Sequence, residues 1–180
     1  SRLNFAENLR SGKPEQIASI GTGEGRKDQI CTFKELNIAV ASAQKWLRKL
    51  GIKSVTRVAA FVPNCVETII LMLAATASGA IWTSCSPDFG TNGVVERFSQ
   101  IKPKLLIITD RYFYNGKEIN VIERLPKIIK KIKSIIGKKK KIAIMIDTKD
   151  WKKESELKKN LPKKKIKNIE KKLNFSPLNK

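Results

Sequence analysis

The chain has 180 residues, 41% hydrophobic and 7% aromatic, enough apolar material for one packed domain and too much for a wholly disordered chain. It carries 37 Lys and Arg against 16 Asp and Glu, a net charge of +21, and no histidine. The missing imidazoles exclude a Ser-His-Asp triad, a Cys-His pair and a His-ligated metal from this chain.

The charge is unevenly placed. Residues 1–118 hold 16 Lys and Arg against 10 Asp and Glu, a net +6, whereas residues 119–180 hold 21 against 6, a net +15. A basic segment collects polyanions by counterion release, so nucleic acid or an anionic surface is one partner class. Against it, the tail is almost all lysine, with Lys138 to Lys141 unbroken and few aromatics. Nucleic-acid readers mix arginine with aromatic rings for bidentate contacts and stacking. A solvated, lysine-biased surface is the favoured reading.

Thr32 with Glu35 three positions later is a capping-box signature, opening a helix with Leu36, Val40, Ala43, Leu47 and Leu50 on one face and Gly51 as its stop. Val58 to Val62 reads as a buried strand ended by Pro63 and Asn64. A helix over Val66 to Ser78 ends at Gly79, and Ala80 to Ser84 is the next strand. The loop Cys85 to Gly90, a helix over Gly93 to Ile101 and the strand Leu105 to Thr109 complete a unit repeating about every 24 residues. Beyond Ile119, Ile122 to Ile136 keeps a helical rhythm and Ile142 to Ile146 reads as one more strand. From Lys149 onward the chain is expected to pack poorly.

This alternation predicts an α/β fold: a parallel sheet with helices on both faces, joined by right-handed crossovers. Ligands of such sheets bind beyond the carboxyl ends of the strands, here the loops at Pro63, Cys85 to Phe89 and Asp110 to Lys117. The most apolar stretch, Thr68 to Trp82, is shorter than the roughly 20 residues a bilayer span requires, and no secretory signal opens the chain. Cys31, Cys65 and Cys85 match no zinc or redox spacing and read as reduced thiols of a cytoplasmic protein.

Gly21, Gly23 and Gly25 look like a phosphate-binding run, but no strand clearly precedes them and no helix opens after them, so a surface turn is favoured. Two other segments stand out. Trp82, Ser84, Cys85, Ser86, Asp88 and Phe89 could shape a pocket for a small polar molecule; equally, they could form a rigid loop in which Asp88 or Asn92 caps the next helix. Asp110 to Lys117 gathers aromatic faces, an amide, a permissive glycine and a cation, which suits an adenine nucleotide bearing phosphate; equally, it could be a basic turn with aromatics packed under it.

The residues Leu3-Asn4-Phe5-Ala6-Glu7-Asn8-Leu9, Thr32-Phe33-Lys34-Glu35-Leu36, Arg57 to Asn64, Gly79 to Gly90 and Tyr114-Asn115-Gly116-Lys117 together resemble the acetoacetyl branch of the adenylate-forming acyl-CoA synthetases. Ser84-Cys85-Ser86-Pro87-Asp88-Phe89-Gly90 resembles that branch rather than the acetyl one. The match covers Leu3 to Glu118, and Asn174 to Leu178 faintly resembles the stretch ahead of the family's phosphate loop, without a histidine often found there.

The resemblance implies a two-step ligase: ATP converts the carboxylate of acetoacetate into an acyl-adenylate with loss of pyrophosphate, and the CoA thiol displaces AMP. A free carboxylate resists thiol attack, so the adenylate supplies the leaving group, with Mg2+ offsetting phosphate charge. It also implies that Tyr114, Asn115, Gly116 and Lys117 stand where related synthetases hold the phosphorylated adenosine end of CoA with two arginines. Tyr114 and Lys117 occupy those two positions, and only Lys117 keeps a cation. Residues 1–118 are then expected to be the N-terminal α/β subdomain of the large domain. Residues 119–180 are its lysine-rich continuation, ending before the ATP-binding loop. No catalytic residue and no metal ligand are assigned, firm binding of ATP, Mg2+ or CoA is expected only of the longer protein, and the missing C-terminal part would be this chain's own partner. The readings from another class are a free-standing basic module for nucleic acid or an anionic surface, and an inactive gene remnant.

Overall fold

The Thr32 capping box forms as its spacing predicts. In a computed structural model that describes residues 3–25, 27–124, 126–128, 130–131 and 141–145, Glu35 N donates to Thr32 Oγ1 at 3.3 Å and Thr32 N donates to Glu35 Oε2 at 2.9 Å. The preceding elements are the short helix α1 (Phe5–Asn8) and an antiparallel pair of strands, β1 (Ile17–Gly21) and β2 (Gln29–Thr32). The box opens α2 (Phe33–Lys49), which buries Leu36, Ala39, Val40, Ala43 and Leu47. Gly51 ends it at φ +73, a left-handed conformation open to glycine without a Cβ penalty.

Three parallel strands follow at one interval. β3 (Arg57–Phe61), β4 (Ile81–Cys85) and β5 (Leu105–Thr109) begin 24 residues apart, separated by α3 (Val66–Ala77) and α4 (Thr91–Ile101). Past β5 the chain turns back as a hairpin, β6 (Arg111–Tyr114) and β7 (Lys117–Asn120), then makes a 3-10 turn at Ile122–Arg124. β8 (Lys141–Met145) joins β5, giving the parallel order β4-β3-β5-β8.

Side chains on a strand alternate between faces, and the core splits accordingly. Val58, Ala60, Leu105 and Ile107 pack with the buried faces of α2 and α3. Ala59, Phe61, Leu106 and Ile108 pack on the opposite side with Val94, Val95 and Phe98 of α4, and with Val121 and Ile128. The expected α/β sheet covered on both faces is therefore what folds. Strand runs without polar alternation, such as Leu105–Thr109, are the mark of a sheet buried on both sides.

Three expectations need correction. A strand does precede the Gly21, Gly23 and Gly25 run, with Gly21 closing β1, while the favoured surface turn forms as the loop of the β1–β2 hairpin. Asp110 to Lys117 is mostly strand rather than loop. Neither Asp88 nor Asn92 caps α4, whose N-cap is Gly90 with no side-chain hydrogen bond. The Asp88 carboxylate instead accepts from Ser86 Oγ at 2.6 Å. The later part of the Ile122 to Ile136 rhythm, the segment from Lys149 and the Asn174 to Leu178 match lie outside the described residues. Among the described residues no helix is long and apolar enough to cross a membrane.

Candidate functional site

The carboxyl ends of β3, β4 and β5 carry the loops that sequence singled out, and the structure distributes their residues unevenly. Trp82 is half-buried against the α2 and α3 cluster, while Cys85 is buried in the cluster beneath α4. The pleat of β4 thus sends these two to opposite faces. Ser84 is exposed, Ser86 half-buried and Asp88 exposed. Phe89 is 39% exposed, with the Arg97 guanidinium 4.6 Å from its ring centroid. Cys85 is a buried thiol, pushed up to about 11 by burial against the opposing charge of Arg97. It is a core group and not an activated nucleophile.

The segment after β5 is rigid at its root. Asp110 is 2% exposed, accepts from Arg111 N at 2.8 Å and pairs with the Arg111 guanidinium at 3.3 Å. Arg111 reaches on to Glu118 Oε1 at 3.1 Å, closing the hairpin across its strands. That arginine is committed to the fold, leaving Lys117 as the cation nearest the tip. Tyr114 pairs with Lys117, and Asn115 and Gly116 between them have φ +50 and +70. Two consecutive left-handed residues make a two-residue type I′ hairpin, the turn that Asn-Gly prefers because its twist matches the strands. Tyr114, Asn115, Gly116 and Lys117 are all exposed there.

The two segments meet at Asp88 and Tyr112, beside Arg124, which the sequence reading did not single out. Tyr112 faces the Asp88 carboxylate and Arg124; burial first, then Asp88, push its hydroxyl above its usual range while Arg124 pulls it down. Arg124 Nη1 also donates to the Pro87 carbonyl at 3.3 Å. Asp88 thus sits at the centre of a small network with Ser86 on one side and Tyr112 on the other. The available signal was the strand periodicity that puts Tyr112 on the same face as Tyr114. At the far edge the hairpin meets the β1–β2 loop, where Phe113 lies over Gly25 and Gly116 N donates to Glu24 Oε2 at 2.7 Å. Among the described residues no three His, Cys, Asp or Glu side chains group as a metal ion would require.

The fold that carries these loops is shared with known proteins. The family model for AMP-binding enzymes matches residues 6–177. The chain belongs to the AMP-binding enzyme family. Acetoacetyl-CoA synthetase of Xenopus tropicalis is 48% identical over 132 residues, covering 72% of this chain and 20% of the relative. The Rhizobium meliloti (strain 1021) acetoacetyl-coenzyme A synthetase is also 48% identical, covering 73% and 20%. Malonamoyl-CoA synthetase of Penicillium aethiopicum is 39% identical over 141 residues, covering 75% and 20%. Among solved structures, acetoacetyl-CoA synthetase from Streptomyces lividans superposes with a TM-score of 0.73 at 31% identity, covering 80% of this chain and 22% of that one. The AMP-binding segment described here spans about 20% of the length of the curated relatives it matches.

Proposed function

We propose that this chain is part of an ATP-dependent acyl-CoA ligase that activates acetoacetate through an acyl-adenylate and passes the acyl group to CoA. The supporting observation is the 48% identity to acetoacetyl-CoA synthetases from a vertebrate and a bacterium. The 39% identity to the malonamoyl enzyme is lower, and both names describe short acids with a second carbonyl beyond the carboxylate. Residues 1–118 supply the N-terminal α/β subdomain and residues 119–180 its lysine-rich continuation in a cytoplasmic enzyme. The adenylation chemistry belongs to the longer polypeptide. The described residues do not fit a magnesium site, so no step through the metal is assigned to them.

Within that enzyme, Tyr114, Asn115, Gly116 and Lys117 receive the phosphorylated adenosine end of CoA. Exposed Lys117 directly follows Gly116 at the hairpin tip, and a cation next in the chain to a backbone N–H suits a phosphate. Trp82, Ser84, Cys85, Ser86, Asp88 and Phe89 form the second candidate group, in which Ser84, Asp88 and Phe89 are exposed and Ser86 is half-buried. The intact ligase is the test. Thioester should form from acetoacetate with ATP consumed to AMP and pyrophosphate, and equal kcat/KM for acetate and acetoacetate would overturn the substrate assignment.

A further inference from the structure

Glu24 lies in the loop between β1 and β2, far in sequence from the β6–β7 hairpin, yet its Oε2 takes the Gly116 N–H at 2.7 Å. Gly25 makes the approach possible. It has φ +68, and a Cβ there would stand 2.9 Å from the Phe113 ring, so the loop backbone lies flat on the hairpin. Gly116 is the second residue of the turn and is followed by the exposed Lys117. A carboxylate therefore already sits on the donor that a phosphate at Lys117 would use, and two anions on one N–H repel as well as compete.

We propose that Glu24 is an internal stand-in for that phosphate: its carboxylate holds the Gly116 N–H until the phosphate of CoA displaces it, and Glu24 thereby sets the affinity for the phosphorylated end of CoA. This rests on the hairpin being the CoA site. Glu24 is exposed, so its carboxylate can swing into water when displaced, and the contact carries no burial cost that would fix it in place. The displaced state leaves Gly25 and Phe113 still packed, so the hairpin keeps its position.

The test is titration of the intact polypeptide with CoA and with dephospho-CoA by calorimetry, comparing wild type, Glu24→Gln and Lys117→Ala. Glutamine retains an acceptor for the Gly116 N–H, so the variant removes charge while the hairpin stays docked. Glu24→Gln is expected to tighten CoA about fivefold at low salt and to leave dephospho-CoA within about twofold, as the loss of one exposed like charge predicts. If Glu24→Gln leaves CoA unchanged or weakens it while Lys117→Ala weakens it, Glu24 is only a latch between hairpins; the proposal then fails and the CoA site stands. If Lys117→Ala leaves CoA binding unchanged, the CoA reading of the hairpin fails and the proposal falls with it.

Discussion

Arg124 donates to the Pro87 carbonyl at 3.3 Å and so ties the chain after β7 to the loop after β4, a contact between segments 37 residues apart. The same arginine faces the Tyr112 hydroxyl, which also lies against Asp88 of that loop. Tyr112→Phe, which removes a polar group held between Asp88 and Arg124, is expected to cost up to about 1 kcal/mol, and Arg124→Gln about 1–2 kcal/mol, as the loss of a bond from a charged donor does. Because both act on one loop, the double variant should lose less than the sum, with a coupling of roughly 0.5 kcal/mol or more. Urea denaturation of the two single variants and the double one measures this, and strict additivity would show that the two residues do not share a brace.

The Asn115-Gly116 turn gives a second expectation. Gly116 has open space where a Cβ would stand, but its φ of +70 strains any L side chain, a β-branched one most. Gly116→Val should destabilise the hairpin by roughly 1–2 kcal/mol, the cost of a left-handed conformation. Amide exchange across Arg111–Asn120 should accelerate about tenfold while the amides of β3 and β5 stay protected. Unchanged exchange in the hairpin would mean that its strands do not depend on the turn.

What was readable in the sequence follows from how strongly each element is buried. α2, β3, α3 and β5 carry buried apolar faces with clear stops, and the even spacing of the units locates β4 and α4 between them. β1 and β2 were missed because Ile17, Ile20 and Ile30 project outward, so no alternation of buried and polar positions marks them as strands. The β6–β7 pair carries two signals at once: Asn115-Gly116 flanked by short β-prone runs marks a hairpin, while the aromatics and Lys117 equally suit a binding loop. The candidate site was legible as two separate segments. Their connection was not, because Asp88 with Tyr112 and Arg124 with Pro87 are tertiary pairings that no local spacing encodes. The uncapped start of α4 has a local reason, since the Asp88 carboxylate is occupied by Ser86.

The thiols offer a test of the core. Cys31 and Cys85 are pushed up to about 11, chiefly by burial, and Cys65 is raised for the same first reason. At pH 8 a thiol of that kind is thiolate in only about a thousandth of molecules, and iodoacetamide reacts with thiolate. Alkylation of native protein should therefore be slower than that of free cysteine by at least about a hundredfold at Cys31 and Cys85, and complete within minutes in denaturant. Mass mapping after brief labelling reads it out. Rapid native labelling of Cys85 would mean that the end of β4 opens away from α4.

The capping box ties helix stability to pH, and the direction is fixed by Glu35. Its carboxyl is held below the usual range first by the hydrogen bond from Thr32 N, then by the Thr32 hydroxyl, with burial opposing and Lys34 assisting. A carboxyl depressed in the folded state adds stability that is fully present above its unfolded value of about 4.3 and is lost as pH falls through the lower folded value. Thr32→Ala removes the side-chain donor and the cap and should cost about 1 kcal/mol at neutral pH. Glu35→Gln keeps an acceptor for Thr32 N but cannot titrate, so its stability should fall less steeply below about pH 4.3 than that of the wild type. Urea midpoints collected between neutral and acid pH give both slopes. Parallel acid limbs for wild type and Glu35→Gln would show that the box contributes through geometry alone and not through the charge on Glu35.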